Sequence, residues 1–536
     1  MTKRMKTANL LLACALTVGT LGVGMSAAAE EGSDKVLDFA MNDDLSTMDV
    51  MNTTADYMVP MNVFDRLFEI KVLEDGSTEI VNSLCTDYTV SEDGLTYTFT
   101  LREGVTFSNG EAFTAEDVEY TFMHLLSPES INADIALRVA GAEAYMAGEA
   151  DTVSGITVDG DSQITITLTA PHAGFIAELT APAMSIIDKT TVEAAENFGI
   201  DLEETVGTGP YVVTEWVNND HVTLTRNENY WGELPSVETA IMHIIPDAST
   251  QNLMFQNGEL DILDLDYQDA SIVASTYQTQ YAEQLVSRSR LALTYMSMNA
   301  NDEFMSDPVV RQAIQMSIDR QAILDSVFNG NGHLENGIIP AGVIGHNDNG
   351  TEITYDPEAA KQLLADAGYK DGDITFELAM DSSSSSNTQM VYQIVQQQLA
   401  AVGITAEIKT YDQSSWLDTR KSGEMDSFIG TWTMDYNDPA NIMDTFFGSV
   451  ENTVLRSDNY KDTEIIERVA AASAIVDDEE RYAEYQALEE KIIHEDFSWV
   501  PLYALNHFYA ISEDVESYSP HWAGYSDFYI KDVVMK

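Results

Sequence analysis

Cysteine is nearly missing from this chain, with two in 536 residues. Cys14 falls in the first, apolar stretch. If that stretch is removed, Cys85 alone remains, which excludes an internal disulfide framework. Cys85 sits in a mix of apolar and polar residues and reads as a small buried side chain. Basic residues are also scarce, 26 Lys and Arg against 89 Asp and Glu, for a formal net charge of −63. A surface of this sign repels phosphate backbones and anionic lipid, so nucleic acid is excluded as a partner. The acidic residues are spread along the chain, the pattern of a solvated surface rather than of an acidic binding tract. The nine histidines are scattered. There is no H-E-x-x-H, no cysteine pair and no His group at metal-ligand spacing, and no metal or other cofactor is expected. No G-x-S-x-G elbow and no S-x-x-K set is present. Carboxylate pairs at i,i+3 are unavoidable at this acid content and carry no catalytic signal. A secreted hydrolase therefore has no supporting motif, and no enzyme is expected.

No hydrophobic run is long enough to span a bilayer, which takes about 20 residues. The longest mostly apolar run, Leu10 to Met25, contains three glycines. Lys3, Arg4 and Lys6 precede it and Ser26-Ala27-Ala28-Ala29 follows. This is the pattern of a secretory signal over residues 1–29, cleaved near Ala29. Leu11-Leu12-Ala13-Cys14 resembles a lipoprotein cleavage box, but few apolar residues precede it. Lipid anchoring at Cys14 is the lesser alternative to an exported chain without an anchor.

What is present is an ordinary folded composition, 44% hydrophobic, in a mature chain of about 500 residues. That is too many for one core, and two or three domains are expected. A strand is expected at 36–41, then a helix carrying Val59, Val63, Phe64 and Leu67 on one face. Residues 85–102 read as a hairpin turning at Glu92-Asp93-Gly94, and a capped helix starts at Thr114. Further alternating strands fall at 156–158 and 164–168, and a hairpin at 211–226 follows the glycine turn Gly207-Thr-Gly-Pro-Tyr211. From about 294 helices and strands alternate, as in an α/β domain. One helix is expected from Asp307-Pro308 to Gly330, others at 357–367, 391–402, 462–473 and 477–494, and one apolar strand run over 500–511. The run of five serines, 382–386, reads as a loop.

One stretch stands out, Thr431-Trp-Thr-Met-Asp-Tyr-Asn-Asp-Pro439. It begins with the period of two that a strand needs and ends in a turn. Trp432 and Asp435 therefore sit where a strand ends, the place for a pocket with one fixed charge. On the stretch alone, a core Trp and a loop-capping Asp are the plainer reading.

Several motifs, taken in order, resemble the family 5 extracellular solute-binding proteins of ABC importers, most closely the oligopeptide- and dipeptide-binding proteins. Tyr88-Thr-Val-Ser-Glu-Asp-Gly-Leu-Thr-Tyr-Thr-Phe-Thr-Leu-Arg-Glu-Gly-Val-Thr-Phe107, Asn109-Gly110 and Thr114-Ala-Glu-Asp-Val118 carry the first part. Gly207-Thr-Gly-Pro-Tyr211, Asn229-Tyr-Trp231, Gly258-Glu-Leu-Asp-Ile262 and Asp307-Pro-Val-Val-Arg-Gln-Ala313 with Asp319-Arg320 follow. Tyr355-Asp-Pro357, Leu363-Leu364 with Ala367-Gly368, and Trp432-Thr-Met-Asp-Tyr-Asn-Asp-Pro439 complete the set. The resemblance implies an α/β, two-lobed periplasmic-binding-protein-like fold (class II, cluster C) with an extra α+β domain on the first lobe. The first lobe would comprise residues 36–67, 204–292 and 507–536, the extra domain 68–203, and the second lobe 293–506. Two crossings near 291–295 and 503–507 would form the hinge.

The same resemblance implies a peptide ligand, oligopeptides being favoured, held by a monomer that delivers it to ABC permease subunits. Asp435 falls where the family pairs a carboxylate with the peptide's ammonium. Trp432 flanks the ligand, and Thr431 and Thr433 offer main-chain groups to its backbone. Thr53 and Thr54 fall in the segment that faces the peptide from the first lobe. Arg420, in Leu417-Asp-Thr-Arg420, resembles a residue that reaches a peptide carboxylate, with a surface Arg at a helix end as its plain alternative. The family's two other carboxylate-binding arginines fall at Ile429 and within the serine run, and are absent. Non-peptide solutes of the same family (nickel complexes, haem, sugars) and a peptide-signal receptor remain the alternatives.

Overall fold

The computed structural model describes residues 35–53, 57–73, 78–128, 130–133, 135–266, 268–522 and 528–536. The signal-like segment with Cys14 and Ala29, and Thr54, lie outside them.

Two mixed sheets carry most of the chain. The first runs in the order Leu285–Ser289, Asn506–Ile511, Ile262–Asp264, Val36–Met41, Thr239–Ile244, His221–Arg226, Tyr211–Val217. Within it, Val36–Met41 is parallel to both of its neighbours. The second runs His333–Leu334, Trp499–Ala504, Ala292–Met298, Ser427–Thr433, Ile374–Asp381, Ile404–Tyr411. It is buried on both faces. Successive residues of Ala292–Met298 point to opposite sides, so Leu293 and Tyr295 join one apolar cluster while Met296 and Met298 join another. A four-stranded antiparallel sheet, Cys85–Val90, Thr96–Leu101, Gln163–Thr167, Ile156–Val158, packs with helix Ala115–Leu125. Its core is continuous with that of the first sheet, Phe39 and Phe99 belonging to one cluster. The two-lobed α/β fold with an added α+β unit is what the chain adopts. Cys85 is free and buried.

The chain passes from the first sheet to the second at Arg290–Leu291 and returns at Leu505. The Arg290 amide donates to the Leu505 carbonyl (3.1 Å), tying the two crossings together. This is why the apolar run at 500–511 is two strands and not one: Leu505 leaves one ladder and Asn506 enters the other. Two helices also depart from expectation. The helix expected through Val59 and Leu67 is a single turn, Pro60–Val63, because Phe64 is already extended. The helix expected from Asp307 to Gly330 is two, Pro308–Ser317 and Arg320–Phe328. Asp319 accepts the Ala322 N–H and so starts a second helix inside one apolar period. Asp356, Asp412, Asp462 and Asp477 cap other helices in the same way, each a stabilisation of about 1 kcal/mol. Part of the acidic excess is explained by these caps. The serine run ends in a cap of this kind, Ser385 preceding helix Ser386–Ala401.

Candidate functional site

Strand Ser427–Thr433 is the element that positions the site. Its partner Ala292–Met298 covers one edge along the full length, from Ser427↔Met298 to Thr433↔Ala292. On the other edge, strand Ile374–Asp381 pairs only with Ser427 and Phe428. The Tyr392 hydroxyl then takes over, donating to the Ile429 carbonyl (3.0 Å) and accepting the Ile429 N–H (2.9 Å). Backbone groups alternate between the two edges, so Thr431 and Thr433 present theirs on the same edge as Ile429. Among the described residues no strand pairs there. The Met434 N–H, of the other parity, donates back to the Leu291 carbonyl (2.9 Å).

That open edge faces a cavity of about 710 Å³. Thr431, Trp432, Thr433, Asp435, Asn441 and Arg456 line one side, and Tyr57, Asn132, Arg138 and Glu178 line the other. The walls come from opposite sides of the fold, the second-sheet unit and the added α+β unit. Past Thr431, which lines both, lies a second cavity of about 320 Å³, also lined by Ile429, Ser385, Thr388 and Arg290.

Asn441 organises the charged end. Its Oδ1 accepts the Trp432 indole N–H (2.9 Å) and the Asp435 amide (3.2 Å), and its Nδ2 donates to Asp435 Oδ2 (2.9 Å). Trp432 packs edge-on against Phe446 (5.3 Å) and carries the Arg456 guanidinium over its ring (5.0 Å). The residues that follow join the two walls. The Tyr436 hydroxyl donates to Glu178 Oε1 (3.2 Å), and Asn437 Nδ2 donates to the Thr78 hydroxyl (2.5 Å). Asp438 accepts the N–H of Ala440 (2.9 Å), the first residue of helix Ala440–Phe447, and binds Arg481.

Ionisation around the cavity follows from burial and local partners. Glu178 is buried, which pushes its carboxyl up. His172, whose Nε2 lies 3.0 Å away without hydrogen-bonding alignment, together with Arg138 and the Tyr436 hydroxyl, outweighs this and leaves it below the usual carboxylate range. Asp444 is pushed up to about 7, chiefly by burial, although His172 and Arg138 pull the other way. Burial likewise raises Asp458 and Glu489 to about 7. In the unfolded chain such groups titrate near 4. Between about pH 4 and 7 the native state thus holds protons that the unfolded state has lost, and stability falls as pH rises through that window. Glu178 acts in the opposite sense, but only as pH falls below its ordinary range. Urea unfolding should therefore give a higher stability at pH 5 than at pH 8. Asp444→Asn should raise stability at pH 8 and leave it unchanged at pH 4.

Of the residues singled out from sequence, Thr431, Trp432, Thr433 and Asp435 come together at one wall. Arg420 lies off the main cavity, in an adjoining hollow of about 350 Å³ that shares Arg138, Asp444, Thr445 and Arg456 with it. Thr53 is buried and is absent from the cavity lining. Its carbonyl accepts the Tyr57 hydroxyl (3.0 Å) and Asn132 Nδ2 (2.8 Å), two side chains that do line the cavity. Sequence reasoning missed Asn441, Arg456, Arg138 and Asp444. A signal existed for Asn441, a polar residue among the apolar residues Ala440, Ile442 and Met443 at the start of helix Ala440–Phe447. Arg456 had only the rarity of its charge.

An extended open edge, a carboxylate at its end and two walls meeting across a hinge define a two-lobed solute-binding protein. The family described as bacterial extracellular solute-binding proteins, family 5 (middle region), matches residues 79–453. The chain is 30% identical over 400 residues to the dipeptide-binding protein of Escherichia coli, covering 72% of this chain and 73% of that protein. It is 28% identical over 481 residues to heme-binding protein A of Haemophilus influenzae, covering 87% and 86%. The periplasmic binding protein DppA of Helicobacter pylori, solved in complex with the peptide STSA, superposes with a TM-score of 0.74 at 27% identity, over 93% of this chain and 98% of that one. The chain belongs to the family 5 extracellular solute-binding proteins, the substrate-binding components of ABC importers, and is not an enzyme. No helix among the described residues is long and apolar enough to cross a membrane.

Proposed function

We propose that the solute is a peptide with a free amino terminus, bound between the lobes and handed to a membrane permease. The observation that carries this reading is the unpaired edge at Thr431 and Thr433 ending at the Asp435 carboxylate. An extended peptide adds to such an edge by main-chain hydrogen bonds, and its ammonium then falls at Asp435. Backbone pairing ignores side chains, and waters fill the remaining space, so many sequences fit. A cavity of about 710 Å³ is within the range of ligand sites, about 300–1,000 Å³. The second cavity past Thr431 and the absence of an arginine from the serine run favour peptides longer than two residues. Arg420 is proposed to meet a carboxylate of the ligand, and Trp432 to form the floor. The segment around Thr53 and Thr54 is proposed to contribute from the first lobe, with Tyr57 and Asn132 as its cavity-facing supports.

The sheet memberships support a first lobe of residues 36–67, 204–292 and 507–536, a second lobe of 293–506, and an extra domain of 68–203. Closure about the two crossings would bury the ligand, driven by contacts that exist only with both lobes engaged. We further propose that the mature chain is exported after cleavage near Ala29 and acts as a monomer. A charge of −63 supports the absence of nucleic acid from its partners.

Titration calorimetry on ligand-stripped protein tests the reading. Alanine peptides of two to six residues should bind, with three or more residues preferred over two. Heat from haem or a sugar, with none from any peptide, would replace it.

A further inference from the structure

In a chain where acidic residues outnumber basic ones 89 to 26, a place where cations outnumber carboxylates needs its own explanation. The hollow beside the main cavity is such a place. Arg138, Arg420, Lys421 and Arg456 line it, with Asp444 as its acidic member. Arg138 is engaged by Glu178 (2.9 Å). Arg420 and Arg456 have no carboxylate within 4.0 Å among the described residues. Their side chains rest instead on rings, Arg420 over Trp416 (5.4 Å) and Arg456 over Trp432 (5.0 Å) and Phe446 (4.9 Å). Arg420 Nε is buried and has no hydrogen-bond partner. Burial, and then the nearness of Arg456, lower the Arg420 pKa, so the two guanidiniums repel each other.

A purely structural account exists for part of this. Arg420 and Lys421 sit in the last turn of helix Gln413–Lys421, and Arg456 directly follows helix Val450–Leu455. Cations are stabilised at helix C-termini. Asp458 lies behind them, buried and hydrogen-bonded to the Ser297 hydroxyl (2.6 Å) and the Trp499 indole (2.8 Å). These features hold positive charge in the neighbourhood. They do not account for two guanidiniums turned into one hollow with donors unused.

The open strand edge relates the hollow to the ligand. A chain added at Thr431 and Thr433 alternates its side chains between the two faces of the sheet. Those on the Trp432 face lie beside that ring, where Arg456 sits. Resting on the peptide reading above, we propose that this hollow is a subsite for an acidic side chain, so that the protein prefers peptides carrying Asp or Glu at the position beside Trp432. Guanidinium and carboxylate match as paired donors and acceptors, and Arg recognises a carboxylate where a neutral amide gains less.

Calorimetry with tetra-alanine peptides in which Glu or its neutral isostere Gln is scanned through positions two to four tests this. Each peptide is used with a free and with an amidated C-terminus. At one position Glu should bind about ten-fold or more tighter than Gln. The preference should survive amidation, collapse to near one in Arg456→Met and in Arg420→Met/Arg456→Met, and persist in part in Arg456→Lys. Equal binding of Glu and Gln at every position would overturn the subsite. So would a preference that persists in the double variant, or one that vanishes on amidation, which would assign the arginines to the terminal carboxylate. If neither series binds wild-type protein, the peptide reading itself falls and the subsite with it.

Discussion

Asp435→Ala is expected to weaken binding of free-amine peptides by about a hundred- to a few-thousand-fold. Removing one partner of a paired charge taken out of water costs about 3–5 kcal/mol, and each 1.4 kcal/mol is about ten-fold in affinity. Asp435 is well placed for so large an effect. Asn441 holds both its amide and one carboxylate oxygen, so the charge is fixed before the ligand arrives and no ordering cost offsets the contact. N-acetylated peptides carry no ammonium and should lose little. Asp435→Asn separates charge from shape, since an amide oxygen can still accept from Asn441 Nδ2. It should resemble Asp435→Ala for free-amine peptides and wild type for acetylated ones. Equal losses for both kinds of peptide would make Asp435 a structural residue of the turn.

The second large effect is on stability. Arg481 Nη1 donates to both carboxylate oxygens of Asp438, each at 2.8 Å, with side chains 2% and 5% exposed. Asp438 also accepts the Ala440 N–H at the start of helix Ala440–Phe447, ahead of the N-cap Pro439. This is the helix that carries Asn441, Asp444 and Phe446 to the cavity wall. Asp438→Ala would leave a guanidinium buried without its main counter-charge and the Ala440 N–H without its acceptor, a loss of about 3–5 kcal/mol. Arg481 keeps a contact to the exposed Asp478 (3.0 Å), which recovers little because surface pairs contribute about 0–1 kcal/mol. Arg481→Met should cost less than Asp438→Ala, because it spares the Ala440 hydrogen bond while stranding the Asp438 carboxylate. Urea unfolding of the two variants and the double variant measures the coupling. A loss under about 1 kcal/mol for both would mean the pair is no more than a surface ion pair.

Strand Ser427–Thr433 was legible from alternation alone, and so was the turn that places Asp435 at its end, whereas its neighbour Ala292–Met298 was expected only as a hinge crossing implied by the family resemblance. Period also misled where two elements share it. Ile318 and Leu324 fit one helical stripe, yet Asp319 caps a second helix within it. Val500 and Ile511 fit one strand, yet Leu505 marks a passage between sheets. Neither break changes the local apolar pattern: the first shows only in the Asp319 cap and the second only in long-range strand pairing. At the site, the strand-borne residues could be read because their spacing is regular. Asn441, Arg138 and Arg456 could not, because the cavity gathers them from segments more than three hundred residues apart. Their role comes from the docking of walls, which no local period encodes.

Native mass spectrometry of protein purified from peptide-rich medium, followed by sequencing of the released ligand, tests the central claim most directly. The account predicts a population of peptides of three or more residues, each with a free amino terminus, enriched in Asp and Glu at one position. A bound mass corresponding to haem, a metal complex or a sugar would contradict it, as would a consistently empty site in protein that no peptide stabilises.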